Sequence, residues 1–191
     1  MSHLLLCLLI AAPGAKKASK DPVVVLTTSA GVIKVQLDRE HAPISTANFL
    51  QYVKEKHYDG TIFHRVMKDF MVQGGGFDQK LHQLGGHQPI KNEAGNGLKN
   101  TPGTLAMART PFVDSATDQF FINTHDNAFL NHKDDTPNGY GYAVFGKVIA
   151  GMDVVRKIED APVTNKVSAE GVPMEAVPMT DVVLKTARLA K

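Results

Sequence analysis

The chain has 191 residues, of which 43% are hydrophobic and 21% charged, a composition that fits one ordinary globular domain. Its formal net charge is only +2, and Lys16, Lys17 and Lys20 all lie within the first twenty residues. The rest of the chain is therefore nearly neutral, which argues against nucleic acid as a partner.

Residues 4–12, LLLCLLIAA, form a short apolar run that suits the core of a secretion signal and is too short to span a membrane. The basic start and the A-x-A cleavage site of such signals are missing. We expect residues 1–20 to be a signal peptide or a disordered segment, and residues 21–191 to form the folded domain without stable membrane insertion. If the segment is a working signal the domain is exported, and otherwise it stays in the cytoplasm.

Cys7 is the only cysteine of the chain and lies inside this apolar run. Residues 21–191 consequently contain no disulfide, no thiolate metal site and no cysteine nucleophile.

Short strands dominate the remaining pattern. A hairpin is predicted at 23–37, with its turn at 29–31, and helices are predicted at 42–58 and 151–160. Six more strands are predicted at 62–66, 70–73, 104–108, 119–123, 142–149 and 181–188. The Gly-, Asn- and Gln-rich stretch 74–103 is predicted to be a functional surface loop. About eight strands and two helices indicate a closed or nearly closed antiparallel β architecture with helices over its open ends.

Familiar catalytic patterns are absent from the sequence. The eight histidines form no H-x-x-x-H or H-E-x-x-H pair, so we read them as scattered and mostly solvent-facing, with no metal site and no cofactor expected. The glycines at 74–76 lack the residues of a phosphate-binding loop and are read as a bulge or tight turn. No serine has a G-x-S-x-G context, and a metal-dependent hydrolase has no supporting motif.

An arginine in the middle of an apolar strand is the unusual feature. Charged side chains are seldom buried unless paired, so Arg65 is either a surface residue or part of a site. Alternation along the next strand places Met71 and Gln73 on one face, and Phe70 on the other unless it enters from the strand's bent start. A site made of these residues would be an apolar surface with a few fixed polar groups. Further candidates for that surface are Gln119, Phe120, Phe121, Phe129 and Leu130.

Five segments resemble the cyclophilin-type peptidyl-prolyl cis-trans isomerases, in the order and spacing of that family. They are FHRVMKDFMVQGGGF (63–77), GTLAMA (103–108), DQFFIN (118–123), AFL (128–130) and AVFGKV (143–148). The segments KNEAGNGLKN (91–100), MART (107–110), DSAT (114–117) and GYAVFGKV (141–148) most resemble the bacterial cell-envelope members. Together with the apolar run at 4–12, this resemblance implies a location in the bacterial periplasm.

The resemblance implies a mainly β fold, a closed eight-stranded antiparallel β-barrel capped by two α-helices, with the active site on its outer face. It implies isomerisation of X–Pro bonds in proline-containing polypeptides, assisting their folding. By position, Arg65, Phe70 and Gln73 are the implied catalytic residues, with Gln73 expected to orient Arg65. The implied substrate-binding residues are Met71, Ala108, Arg109, Gln119, Phe121, Phe129, Leu130 and Tyr142.

Three positions depart from the common family pattern. Arg109 replaces an asparagine, Tyr142 a histidine, and Phe129 the tryptophan of the members most sensitive to cyclosporin. We therefore expect weak cyclosporin binding at most. We also expect a monomer, because no heptad or exposed apolar helix demands a partner. The alternative function is a peptide-binding chaperone that uses the same groove.

Overall fold

The structure is a computed structural model that describes residues 21–190. The elements follow in chain order: β1 Val23–Thr28, β2 Val32–Leu37, α1 Pro43–Glu55, β3 Thr61–Met67, β4 Met71–Gly74, β5 Thr104–Met107, β6 Phe120–Asn123, β7 Val144–Ala150, α2 Met152–Glu159, β8 Val163–Val167, β9 Pro173–Pro178 and β10 Val183–Leu189. Single 3₁₀ turns occur at Ala94–Asn96 and Ala128–Leu130. The expectation of a signal peptide or disordered segment at 1–20 lies outside the described residues.

Eight strands close into an antiparallel barrel, as predicted. Their order around the barrel is β1-β10-β3-β4-β6-β5-β7-β2, so the first and last strands of the described chain are neighbours. Val24 lies opposite Leu189 in that pair, and the Ala190 N–H donates to the Val23 carbonyl over 2.7 Å. Closure leaves none of these eight strands as an unpaired edge, which removes a common route to aggregation.

The barrel interior is filled by every second side chain of its strands. In β1 and β2 the buried side chains alternate with exposed or half-buried ones, as the period of a strand requires. Phe49 of α1 enters the same interior and lies 5.3 Å from both Phe120 and Phe145, measured between ring centroids. Such aromatic pairs add to the stabilisation that apolar burial provides.

Both predicted helices are present, each somewhat shorter than its predicted range. Helix α2 turns Val155 and Ile158 into the barrel core, where both are fully buried, and it packs against β2, β3 and β4. Helix α1 has no side-chain cap of its own: Pro43 occupies its first position and Ala42 precedes it. The Glu93 carboxylate replaces that cap, accepting the Ile44 and Ser45 N–H groups at 2.9 and 2.7 Å.

The hairpin of β8 and β9 was not predicted from the sequence. Four of the five residues of β8 are exposed and the fifth is half-buried, so no apolar alternation marks it, and β9 begins and ends with a proline. The predicted stretch 74–103 is a loop after Gly74, the last residue of β4, and one 3₁₀ turn is its only helical element. Between residues 21 and 190, no helix is long and apolar enough to cross a membrane.

Candidate active site

Strands β3 and β4 bring Arg65 and Gln73 together on the outer face of the barrel. The two residues are direct cross-strand partners. A regular strand would point Phe63 and Arg65 to the same side, but the pairing is irregular between them. Phe63 consequently stays in the core while Arg65 turns outward, and a bulge is a common device for aiming a side chain at a site.

A cavity of about 120 Å³ lies beside this pair. Its lining consists of Arg65, Phe70, Met71, Gln73, Ala108, Arg109, Phe121, Leu130 and Tyr142. All nine were candidate site residues from the sequence, and the fold brings them together from separate strands and loops. Met71, Phe121 and Leu130 are buried in a second apolar cluster outside the barrel, so the cavity has a firm hydrophobic wall.

Two of the three remaining candidates extend this wall instead of lining the cavity. The third, Phe120, is not part of the site: it is fully buried in the barrel core, because alternation along β6 points it away from the cavity. Gln119 accepts a hydrogen bond from the Gln73 amide, Nε2 to Oε1, at 2.9 Å. Phe129 is 62% exposed and stacks on Phe70, with 5.5 Å between the ring centroids. Phe129 therefore forms the outer rim beside the apolar end of the cavity.

Phe70 reaches the cavity from the turn before β4. Strand alternation alone would send it to the face opposite Met71, but the turn at 68–70 frees it from that alternation. Its carbonyl accepts hydrogen bonds from the Thr124 N–H at 3.0 Å and from the Asn127 amide at 2.9 Å. These bonds hold the backbone of Phe70 beside the cavity, which together with its rim at Gln119 and Phe129 forms the groove.

Arg65 is a half-buried residue, and within residues 21–190 its guanidinium makes no hydrogen bond or ion pair. Gln73, which we expected to orient Arg65, donates instead to Gln119. An arginine keeps its charge at any physiological pH, so Arg65 presents a cation with available N–H donors to whatever occupies the cavity.

Arg109 is held differently, although it lines the same cavity. Its guanidinium carbon lies 4.8 Å from the centre of the Tyr142 ring, a cation–π arrangement. Its N–H groups donate to the carbonyls of Gly141, Thr110, Pro111 and Pro137. Most of its donors are occupied, so Arg109 fastens the loop that carries it to the loop before β7. Arg65 is left as the available cation of the cavity lining.

Comparison with known proteins identifies the family of this chain. Residues 23–184 match the family model described as cyclophilin type peptidyl-prolyl cis-trans isomerase/CLD. The chain belongs to this family of isomerases.

Similar curated proteins are peptidyl-prolyl cis-trans isomerases of bacteria. One from Streptomyces antibioticus is 54% identical over 81% of this chain and 93% of its own length. Isomerase A of Dickeya dadantii is 51% identical, covering 88% and 84%, and isomerase B of Escherichia coli is 49% identical, covering 81% and 94%. This cyclophilin is thus an isomerase with bacterial relatives along most of its length.

A solved structure shows the same fold. The crystal structure of a cyclophilin-type isomerase from Cryptosporidium parvum superposes with a TM-score of 0.72 at 24% identity, covering 90% of this chain and 98% of that one. The barrel and its helices are therefore those of the cyclophilin fold.

His64, next to Arg65, is a buried residue that the sequence did not single out. It is 4% exposed and its Nδ1 has no hydrogen-bond partner among the described residues. Burial, the largest cause, lowers the pKa of His64 to about 4, so the imidazole of this cyclophilin is neutral at physiological pH. The reading of the histidines as mostly solvent-facing does not hold for this one.

Buried asparagines tie the two sides of the groove together. The Asn127 amide donates to the carbonyl of Phe70 and, over 2.7 Å, to Asn123 Oδ1. Asn123 donates to Asn100 Oδ1, and Asn100 donates to the Leu130 carbonyl, both over 3.2 Å. Because all three asparagines are buried, each bond is shielded from water. The network therefore links the backbones of two groove residues, Phe70 and Leu130.

The glycine run ends the β4 wall, as predicted. Gly75 has a φ of +97°, a conformation that side chains disfavour. A Cβ added at Gly76 would lie 2.5 Å from the Gln119 side chain, so only glycine there leaves room for Gln119 beside Gln73.

Proposed function

We propose that this isomerase accelerates rotation about X–Pro bonds by placing Arg65 against the amide as it twists. The observation that carries the proposal is an unpaired guanidinium, on the half-buried residue Arg65, that lines a cavity with an apolar wall. Its clients are proline-containing segments of polypeptides that are not yet fully folded, and it assists their folding.

The barrier to rotation is electronic, since twisting the X–Pro bond breaks amide resonance at a cost of roughly 18–20 kcal/mol. No covalent bond has to form or break. The protein needs only to bind the twisted amide more tightly than either planar form. In the twisted amide the proline nitrogen recovers a localised lone pair, and a fixed N–H donor with a positive charge stabilises it.

The apolar residues of the cavity meet the remaining requirement, which is to hold the substrate in place. Phe70, Met71, Phe121 and Leu130 hold the proline ring while the preceding residue rotates. An acceleration of a hundred-thousand-fold needs about 7 kcal/mol, more than one charge-assisted hydrogen bond provides. Positioning and exclusion of water from the cavity provide the rest.

The test is Arg65→Ala, assayed on a short proline-containing peptide. We expect the fold to be retained and most of the isomerase activity to be lost, a drop of roughly a hundredfold or more in kcat/KM. Lys185→Ala is the matched control, since it removes a positive charge from an exposed position of β10. Near-wild-type turnover by Arg65→Ala would refute the mechanism.

The same variant separates catalysis from holding. A chaperone that only holds peptides in the groove would keep most of its suppression of aggregation in Arg65→Ala, because the apolar wall is unchanged. The expected result for an isomerase is that Arg65→Ala no longer accelerates the refolding of a client limited by proline isomerisation.

Residues 21–191 form the isomerase domain of this proposal, and residues 1–20 act as a signal that directs it to the periplasm. The bacterial relatives support an origin in bacteria. Cell fractionation with N-terminal sequencing decides between the periplasm and the cytoplasm. The domain acts as a monomer, does not bind nucleic acid and does not insert stably in a membrane. With Phe129 at the rim, it binds cyclosporin weakly at most.

A further inference from the structure

The turn at 67–70 determines where Phe70 lies. The Phe70 N–H donates to the Met67 carbonyl over 3.2 Å, and Asp69 has a φ of +56°, unusual for a residue other than glycine. Such a conformation persists only when its surroundings hold it. The bonds from Thr124 and Asn127 hold this turn on one side, through the Phe70 carbonyl.

Helix α2 holds the other side of the turn through Glu159. One oxygen of this carboxylate accepts the Asp69 N–H at 2.9 Å, and the other accepts from Arg156 Nη1 at 2.8 Å. The Glu159 side chain is 5% exposed, and it does not line the groove cavity. Burial raises the pKa of Glu159, but the hydrogen bonds it accepts outweigh burial and leave the pKa below its ordinary value.

We propose that Glu159 is a positioning residue for the isomerase reaction, through which helix α2 sets the position of Phe70 in the groove. The inference rests on the function proposed above. Arg156 fixes the Glu159 carboxylate, which makes it a rigid hydrogen-bond acceptor. The N–H group that donates to it belongs to Asp69, the residue before Phe70. Without that acceptor the turn keeps the bonds to the Phe70 carbonyl but loses the bond at Asp69, and the Phe70 ring no longer keeps a single position against the proline.

The test compares Glu159→Ala with variants that share its surroundings. Asp160→Asn is the control: Asp160 joins the same helix to the same turn through Lys68, at 3.7 Å, but both side chains are largely exposed. An exposed ion pair of this kind contributes little to the stability of the turn, so its loss leaves the kinetics unchanged. Arg156→Ala removes the ion pair and keeps the bond to Asp69. Glu159→Gln keeps one oxygen that can accept that bond.

Glu159→Ala is expected to raise KM for a proline-containing peptide and to lower kcat/KM by about tenfold, since small displacements of positioning groups are costly. Glu159→Gln and Arg156→Ala should fall between it and the wild type. Assays are run well below the melting temperature of each variant, so that unfolding does not contribute to a decrease in kcat/KM.

A double-mutant cycle with Phe70→Ala separates positioning from general destabilisation. If Glu159 acts through Phe70, adding Glu159→Ala to Phe70→Ala changes kcat/KM less than twofold. Additive effects, or wild-type kinetics in Glu159→Ala, would overturn the inference. An inactive wild-type protein would instead refute the proposed function.

Discussion

His64 occupies the position before the cavity arginine and is buried without charge. In an unfolded chain its pKa is about 6.5, whereas in the folded protein burial lowers the pKa to about 4. Between these values the unfolded chain binds a proton that the folded protein does not. The stability contributed by the neutral imidazole is therefore fully present above pH 6.5 and is lost as the pH falls toward 4.

The corresponding experiment is urea unfolding of the wild type and His64→Gln at pH 7.5 and pH 4.5. The wild type should lose about 2–3 kcal/mol more unfolding free energy than His64→Gln between these conditions. Carboxylates titrate in both proteins and cancel in the difference. Equal losses in the two proteins would show that His64 stays protonated on folding.

The residues of the groove wall were predictable because short segments carry them. Met71 and Gln73 follow from strand alternation, and Arg65 was conspicuous as a charge in an apolar strand. Its outward direction was not predictable, since it depends on the irregular pairing after Phe63. The contacts of Glu159 and Asn127 with the turn at 67–70 could not be predicted, for another reason. Their hydrogen-bond partners in that turn lie 90 and 57 positions away in the chain.

Among the secondary-structure elements, helix α1 depends on the long loop for its start. Its first N–H groups are satisfied by Glu93, which lies about 50 positions further along the chain. The negative charge also lies at the positive end of the helix dipole. The loop at 74–103 and the helix therefore stabilise one another, although neither element's sequence shows the other's presence.

Glu93→Ala should lower the unfolding free energy by about 1–2 kcal/mol, because it leaves the Ile44 and Ser45 N–H groups without their carboxylate acceptor. Chemical denaturation measures this, with Glu175→Ala, an exposed glutamate of β9, as the control. An equal effect of the two substitutions would mean that the cap contributes nothing.

The eight barrel strands were predictable because each alternates or is continuously apolar. The β8–β9 hairpin was not, because the side chains of β8 are exposed or half-buried and show no apolar period, and a proline stands at each end of β9. A strand shows a regular apolar pattern when one face is buried along its length, and in β9 only the last two residues, Val177 and Pro178, are buried.

In the molecule as a whole, the first and last strands of the described chain meet as neighbours in the barrel. Strands β1 and β10 are paired, and the backbones of Val23 and Ala190 are hydrogen-bonded. The ends of the described chain are therefore close enough to be joined by a few residues.

A circular permutant should consequently fold. In it, residue 190 is linked to residue 21 by a short glycine-serine linker, and new ends are opened between Glu170 and Gly171. Both residues are exposed, and a Cβ at Gly171 would meet nothing within 4 Å. We expect the groove to be intact and kcat/KM to lie within about threefold of the wild type, since loop tips tolerate such openings. Loss of cooperative unfolding in this permutant would contradict the expectation.

The pairing of β10 with both β1 and β3 also bears on how the protein is made. A ribosome delivers β1 early and β10 only after all the other strands have emerged. Until then β1 and β3 each lack a neighbour, and their unpaired backbone groups are open to other chains. During synthesis this cyclophilin therefore presents the same kind of incomplete sheet edge as many newly made proteins. Arg65 lies on β3, so the strand that carries it keeps one unpaired edge until β10 has been translated.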